Sequence, residues 1–296
     1  MNNDEFRHWS ERAAAWGADY RRDLRDKPVR AELVPGKIAA HVADAPPETG
    51  EPMEAIFRDF EEFIVPGITH WQHPRFFAYF PANAAPVSVV AEYLVSAMAA
   101  QCMLWQTSPA GTELETRVID WMRQALGLPS EFSGVIQDSA SSATLSAILV
   151  MRERALDWGG NRDGLAAHPQ LRIYCTSQVH TSIDRALWVS GIGERNLVRV
   201  PTKGDSFGMD PEALREAILA DREAGFIPAG VICCTGGTSI GACDPIGAVA
   251  DVAKEFGLYM HVDAAWAGSA MICPEYRTLW TGIEKVDSIV FNPHKW

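Results

Sequence analysis

The sequence predicts an α/β protein with a mostly parallel central sheet, preceded by a helical N-terminal segment. From about residue 86, helical patterns alternate with short β-rich apolar runs, the order that a parallel sheet covered by helices requires. Before that point, aromatic residues recur at helical spacing and prolines follow them. We therefore expect two parts, a helical segment over residues 1–85 and the main domain over residues 86–296.

The first predicted helix covers residues 5–25. Its apolar side chains recur at steps of three and four and form one aromatic face: Phe6, Trp9, Ala13, Trp16, Tyr20 and Leu24. Local core packing and contact with a second subunit explain this face equally well. Five prolines between residues 28 and 52 then indicate a chain that wraps over a surface.

The main domain is predicted from alternating start signals and apolar runs. Thr112 and Glu115 have the spacing of a capping box at a helix start, and the pairs Asp210-Pro211 and Asp244-Pro245 indicate two later helix starts. Five apolar runs are predicted as strands: Gly134–Ile136, Leu171–Cys175, Val231–Cys234, Leu258–Val262 and Ser288–Phe291.

Composition narrows the function. The net charge of −12, spread along 296 residues, argues against a nucleic-acid or anionic-membrane partner, since either calls for a basic face. The longest apolar stretch, Val87–Trp105, contains Glu92 and Gln101 and is interpreted as a buried helix rather than a membrane span. Six cysteines without a C-x-x-C pair and a polar N-terminus favour a cytoplasmic protein with reduced thiols.

Polar residues follow the predicted strands, and ligands of open parallel sheets bind at the edge formed by the carboxyl ends of the strands. Hydroxyl residues at 139, 141 and 142 open a helix, where they can cap it or bind a phosphate; capping is the simpler interpretation. His180, Asp263 and Lys295 each follow a further run. An anion cradle, an imidazole, a buried carboxylate and an amine together match what pyridoxal 5'-phosphate (PLP) needs.

Longer motifs make the chain similar to a known family. They comprise His70-Trp71, the run 74–81, Ser108-Pro109-Ala110 with the run 112–115, the run His261–Gly268, and Asn292-Pro293-His294-Lys295-Trp296. From about residue 5 to the end, the chain resembles the group II PLP-dependent decarboxylases, especially the aromatic-L-amino-acid decarboxylase branch. The resemblance implies the large domain of the aspartate aminotransferase-like PLP-dependent transferases (fold type I), with their small C-terminal domain absent from this chain.

The resemblance also implies roles for individual residues. Lys295 would form a Schiff base with PLP, Asp263 would pair with the pyridinium nitrogen, and His180 would stack on the ring. The further cofactor contacts that it implies are Ala140, Ser141, Thr238, Asn292 and His294. The implied aromatic substrate pocket, shared in this family across a homodimer interface, comprises Trp71, Tyr79, Pro81, Ala82 and His180.

The implied reaction is decarboxylation of an aromatic L-amino acid to an amine and CO2. Ala82 replaces a hydroxyl residue of the animal enzymes, and the family's catalytic loop lies beyond this sequence. The choice of amino acid, and the choice between decarboxylase, aldehyde synthase and aminotransferase, therefore stay open, as does an inactive truncated homologue.

Two further alternatives come from short patterns. Residues 237–241 match G-x-S-x-G, so a serine hydrolase would use Ser239 with Asp263 and His294. Such a serine must lead directly into a helix, whereas the next start signal is Asp244. A metal site at His70 and His73 lacks a third ligand at useful spacing, so no metal is expected.

Overall fold

The computed structural model describes residues 1–80 and 84–296 of the chain. Two compact units are present, Met1–Val89 and Val90–Trp296. The first unit contains helices α1 (Asn3–Arg22) and α2 (Met53–Asp59), and α2 continues into a π-helical turn at Phe60–Ile64. It also has short 3₁₀ turns at Leu24–Asp26, Ala39–His41 and Val65–Gly67.

The aromatic face predicted for α1 packs within the first unit. The ring centroids of Trp9 and Phe57 lie 5.5 Å apart, and those of Trp16 and Phe60 lie 4.9 Å apart. A capping box starts α1, because the Asn2 side chain accepts the amide of Glu5 while the Glu5 carboxylate accepts the amide of Asn2. Local packing therefore accounts for these two tryptophans, and contact with a second subunit stays a prediction.

Helix α3 (Pro86–Met98) differs from the sequence-based expectation. The apolar stretch that contains it was expected to be buried, but none of its residues is buried in the single chain. Val87 is 76% exposed and Leu94 is 53% exposed. No helix within residues 1–80 and 84–296 is both long and apolar enough to cross a membrane.

The second unit is built on a five-stranded sheet with the order β2-β1-β5-β6-β7, in which all neighbouring strands are parallel. Its strands are β1 (Leu171–Cys175), β2 (Leu197–Arg199), β5 (Ile227–Cys234), β6 (Tyr259–Asp263) and β7 (Ser288–Val290). A separate antiparallel hairpin joins β3 (Thr202–Lys203) and β4 (Gly208–Met209). The predicted α/β fold with a parallel sheet is confirmed.

Helices cover the sheet through two apolar clusters. The helices are α4 (Pro109–Ala125), α5 (Ala140–Ala155), α6 (Gly159–Asp163), α7 (Ser182–Val189), α8 (Pro211–Glu223) and α9 (Ile246–Phe256). Ile148 of α5 and Ile183 of α7 belong to one cluster, whereas Ile218 of α8 and Val249 of α9 belong to the other. Short 3₁₀ turns lie at Leu165–Ala167, Glu194–Asn196, Ala267–Ile272, Pro274–Trp280, Ile283–Lys285 and Pro293–Lys295.

The strand predicted at Gly134–Ile136 is wrong. Among the described residues this run has no ladder partner, and the amide of Ile136 instead donates to the Glu115 carboxylate at 2.7 Å. Val135 and Ile136 are more than 60% exposed, so the run lacks the covered faces of a core strand. Conversely, β2 was not predicted, because only two adjacent apolar residues, Leu197 and Val198, precede the charged Arg199 in it.

The capping box predicted at Thr112 and Glu115 is also wrong. Helix α4 starts at Pro109, one turn earlier, because proline at the first helical position has the required φ and needs no amide partner. Thr112 therefore lies inside the helix, where its hydroxyl donates to the Ser108 carbonyl at 3.1 Å.

Candidate active site

The carboxyl ends of β1, β5, β6 and β7 and the N-terminus of α5 surround one cavity of about 160 Å³. Parallel strands place these ends at the same sheet edge, so residues distant in sequence converge there. The cavity lies entirely within the second unit, because every residue that lines it follows Val90.

Lys295 reaches the cavity from a short turn after β7. The backbone amide of Asn292 donates to the Ala265 carbonyl at 3.1 Å, and the amide of Lys295 donates to the Asn292 carbonyl at 3.2 Å. Trp296 Nε1 donates to the carbonyl of Trp266, and the two indole rings stack 6.0 Å apart. These contacts hold the turn against the segment that follows β6.

Asp263 is the last residue of β6 and is 8% exposed. The backbone amide of Ala265 donates to its carboxylate at 3.0 Å. Burial raises the pKa of Asp263, while that hydrogen bond and the positive charges of His180 and Lys295 act in the opposite direction. A cation bound beside this carboxylate would offset the cost of its burial.

The amine of Lys295 is half-buried. Burial lowers the pKa of Lys295, and the nearby negative charge of Asp263 opposes that shift. A lowered pKa increases the fraction of neutral amine, which is the nucleophilic form.

His180 follows β1 and presents its ring to the same cavity. Its Nδ1 lies 2.9 Å from the Ser182 hydroxyl and accepts the Ser182 backbone amide at 3.2 Å. Burial lowers the pKa of His180, although the charge of Asp263 works against this. The net shift of the His180 pKa is therefore toward the neutral imidazole.

The N-terminus of α5 provides the anion-binding wall. The Ser139 hydroxyl accepts the amide of Ser142, and the Ser142 hydroxyl accepts the amide of Ser139, so these two residues form a capping box. The amides of Ala140 and Ser141, at the first two helical positions, have no acceptor within a helix. With the positive end of the helix dipole they suit a phosphate.

A glycine-rich loop over residues 235–243 forms another wall. Gly236 has φ +77°, and a Cβ there would lie 2.5 Å from the Ala267 side chain; a Cβ on Gly237 would lie 2.8 Å from the Gln178 carbonyl. Buried Asp244 ends the loop, and its two carboxylate oxygens accept the amides of Met209 at 2.7 Å and of Cys234 at 2.6 Å. Close packing and this carboxylate together define the path of the loop.

All of the predicted cofactor contacts line the cavity: Ala140, Ser141, His180, Thr238, Asp263, Asn292, His294 and Lys295. Ser139, named from the sequence as part of a helix start that caps or binds a phosphate, lines it as well. The other lining residues were not predicted: Ser182, Cys234, Gly236, Gly237, Ala265 and Trp266. Gly236 and Gly237 closely follow the predicted strand Val231–Cys234, which was a signal for this sheet edge, whereas nothing in the sequence distinguishes Ser182 from an ordinary first-turn serine.

The predicted substrate residues are distributed differently. Trp71 and Tyr79 belong to the first unit, where their rings stack 5.7 Å apart and Tyr79 is 82% exposed. Pro81 and Ala82 lie outside the described residues. The fifth predicted substrate residue, His180, lines the cavity. The structure therefore places three of these side chains and leaves their role toward the substrate as a prediction.

Two alternatives from short patterns concern a serine nucleophile at Ser239 and a metal site at His70 and His73. Ser239 lies in a turn, and α9 starts only at Ile246, so the strand–serine–helix passage of a nucleophile elbow is not formed. His70 Nδ1 lies 2.7 Å from the Tyr20 hydroxyl, and His73 Nε2 lies 3.2 Å from the Arg25 carbonyl. Both histidines thus make hydrogen bonds within the first unit.

Comparison with known proteins decides the family. The pyridoxal-dependent decarboxylase conserved domain matches residues 35–296. The chain belongs to the pyridoxal-dependent decarboxylase family. The predicted resemblance is therefore confirmed, and PLP is the cofactor after which the family is named.

Relatives of this chain include two kinds of enzyme. Tryptophan decarboxylase 1 of Oryza sativa subsp. japonica is 37% identical over 308 residues, covering all of this chain and 60% of that protein. The 4-hydroxyphenylacetaldehyde synthase of Rhodiola rosea is 40% identical over 284 residues, covering 94% and 57%. The chain thus spans about 60% of the length of such relatives.

Solved structures agree with this placement. The Oryza sativa TDC structure with PLP and tryptamine superposes with a TM-score of 0.95 at 38% identity, covering all of this chain and 62% of that one. The Catharanthus roseus tryptophan decarboxylase structure with L-tryptophan gives a TM-score of 0.94 at 37% identity, with 100% and 64% covered. The decarboxylase fold predicted from the sequence is therefore confirmed over the whole chain.

Proposed function

We propose that the complete protein catalyses PLP-dependent decarboxylation of an aromatic L-amino acid, releasing an amine and CO2. One observation carries the proposal: Lys295, Asp263 and His180 converge on a single cavity at the N-terminus of α5. Membership of the family and the names of the relatives support the reaction class and the aromatic substrate.

The backbone amides and side chains that line the cavity fit the individual groups of PLP. The amides of Ala140 and Ser141 at a helix N-terminus suit its phosphate. Buried Asp263, whose carboxylate accepts one backbone amide from Ala265, suits a protonated ring nitrogen. The half-buried amine of Lys295 suits its aldehyde.

The proposed roles follow from these positions. When bound, PLP supplies an electron sink for the pair that leaves the bond to the departing carboxylate. Lys295 would hold the cofactor covalently, and Asp263 would keep the proton on the ring nitrogen through its negative charge. His180 would form a flat wall of the cavity and orient the amino acid.

Aldehyde formation is the second candidate, favoured by the 40% identity to the Rhodiola rosea 4-hydroxyphenylacetaldehyde synthase. The test is a screen of the full-length protein with PLP against tryptophan, tyrosine, dopa, phenylalanine and histidine, reading CO2 and the organic product. An amine with CO2 supports decarboxylation, and an oxo acid indicates transamination. An aldehyde with CO2, ammonia and hydrogen peroxide, formed with consumption of dissolved O2 as the oxidant, supports the second candidate. Failure of every amino acid to react would refute the proposal.

We also propose a homodimer with the active site at its interface. Phe77 and Tyr79 of the first unit are 92% and 82% exposed, and α3 exposes valine and leucine side chains. Large apolar side chains exposed in this way are typical of a protein–protein contact. We propose that a second copy of this chain covers these side chains, because the family's substrate pocket is shared between two subunits.

Complementation tests the shared site. A Lys295→Ala subunit mixed with a Tyr79→Ala subunit would form heterodimers with one intact site, restoring about a quarter of the wild-type activity after random exchange. Light scattering on the purified protein measures the dimer directly. A monomer, or mixtures no more active than their components, would contradict the shared site.

A further inference from the structure

Ser182 makes two contacts with the Nδ1 atom of His180. The Ser182 backbone amide points at Nδ1 from 3.2 Å, and the Ser182 hydroxyl lies 2.9 Å from the same atom. Ser182 is buried as the first residue of α7. A backbone amide can only donate, so Nδ1 must present its lone pair to it.

This geometry selects one form of the imidazole. With a lone pair on Nδ1, the neutral ring carries its proton on Nε2. Protonation of Nδ1 would set an N–H group against the Ser182 amide, which disfavours the cation. Burial disfavours the cation as well.

The charged groups around His180 partly balance one another. The carboxylates of Asp263 and Asp184 favour the cation, whereas the positive charges of Lys295 and Arg185 disfavour it. No single ion pair therefore dictates the form of the ring, and the contact with Ser182 decides which nitrogen carries the proton.

We infer that Ser182 is a positioning residue that holds His180 as a neutral imidazole with its Nε2–H available to the cavity, as a donor to an anionic oxygen of the bound ligand. The ligand part rests on the proposed function; the tautomer part does not. A neutral N–H is a poor acid, so His180 acts as a fixed hydrogen-bond donor rather than as a proton carrier.

The tautomer is tested by ¹⁵N NMR of histidine-labelled full-length protein without added cofactor at pH 7.5. We expect His180, assigned by its loss in His180→Asn, to show a protonated Nε2 and an unprotonated Nδ1. A protonated Nδ1 at this pH would overturn the inference. Because no turnover is involved, this result is independent of whether decarboxylation is found.

The role of the Ser182 hydroxyl is tested with Ser182→Ala. Loss of one donor to Nδ1 weakens the neutral form, so the acid dissociation constant of His180 should fall roughly two- to tenfold, the range of one neutral hydrogen bond. The matched control is Ser190→Ala, which removes an equally buried hydroxyl at the end of α7 that donates to the Leu187 carbonyl. Equal dissociation constants in wild type and Ser182→Ala would overturn the positioning role.

The acceptor is identified by adding ligands in sequence to the wild-type protein. A downfield shift of the Nε2–H proton with PLP alone places the anionic oxygen on the cofactor, and a shift only after L-tryptophan follows places it on the amino acid. No shift in either step would refute the donor role, while leaving the tautomer result as measured.

Discussion

His261 is a buried histidine whose ionisation should make the stability of the fold depend on pH. It lies on β6, two residues before Asp263, and is 1% exposed. Its Nδ1 lies 2.8 Å from the Ser288 hydroxyl on β7, and its Nε2 is buried without a hydrogen-bond partner among the described residues. Burial therefore lowers the pKa of His261 to about 4, from an ordinary value of 6.5.

The sign and size of the effect follow from this difference. A lowered pKa means that folding favours the neutral ring, so the stability is present above pH 6.5 and is lost as the pH falls toward about 4. Each unit of pH in that interval costs about 1.4 kcal/mol, so acidification from pH 7 to pH 5 removes about 2 kcal/mol through this one group.

Urea unfolding at pH 7 and pH 5 measures the effect in wild type, in His261→Gln and in the exposed-site control His8→Gln. Glutamine does not titrate, so the loss on acidification should be about 2 kcal/mol smaller in His261→Gln than in the other two proteins. The comparison between proteins cancels the titration of the remaining histidines. Identical losses in all three would show that His261 is not held neutral by the fold.

Three further changes test the site. After borohydride reduction, intact-mass measurement should find no PLP attached to Lys295→Ala, whereas the exposed-site control Lys285→Ala should retain the adduct. An adduct in Lys295→Ala would refute Lys295 as the residue that binds PLP covalently. Asp263→Asn should still bind PLP but lower kcat by roughly 10²–10³, the usual loss for one preorganised electrostatic group, and unchanged turnover would contradict its role at the ring nitrogen. In Asp244→Asn, the single side-chain oxygen can accept only one of the two amides that Asp244 accepts, so the free energy of unfolding should fall by about 1–3 kcal/mol. Asp251→Asn is the exposed-site control, and an unchanged urea midpoint in Asp244→Asn would contradict this role.

Much of the fold could be predicted because the central strands are covered on both faces. Such strands form short continuous apolar runs, as at Val231–Cys234, and their pattern survives in the sequence. The run Gly134–Ile136 has the same character but forms no strand, because strand formation depends on a neighbour that supplies hydrogen bonds. An apolar pattern indicates that a segment can be buried. Whether another strand lies beside it to form hydrogen bonds depends on the whole fold.

The two Asp-Pro pairs show why the site could be predicted only in part. Asp210 caps its own helix, accepting the amide of Glu212 at 3.0 Å, as its sequence predicts. Asp244 stands in the same local context, yet its carboxylate accepts the amides of Met209 and Cys234, which lie 35 and 10 residues away. Local sequence identifies helix starts, but it does not show which aspartate a distant backbone captures. Since Asp244 ends the loop that carries Thr238 to the cavity, the shape of that wall depends on a residue whose sequence context indicates only a cap.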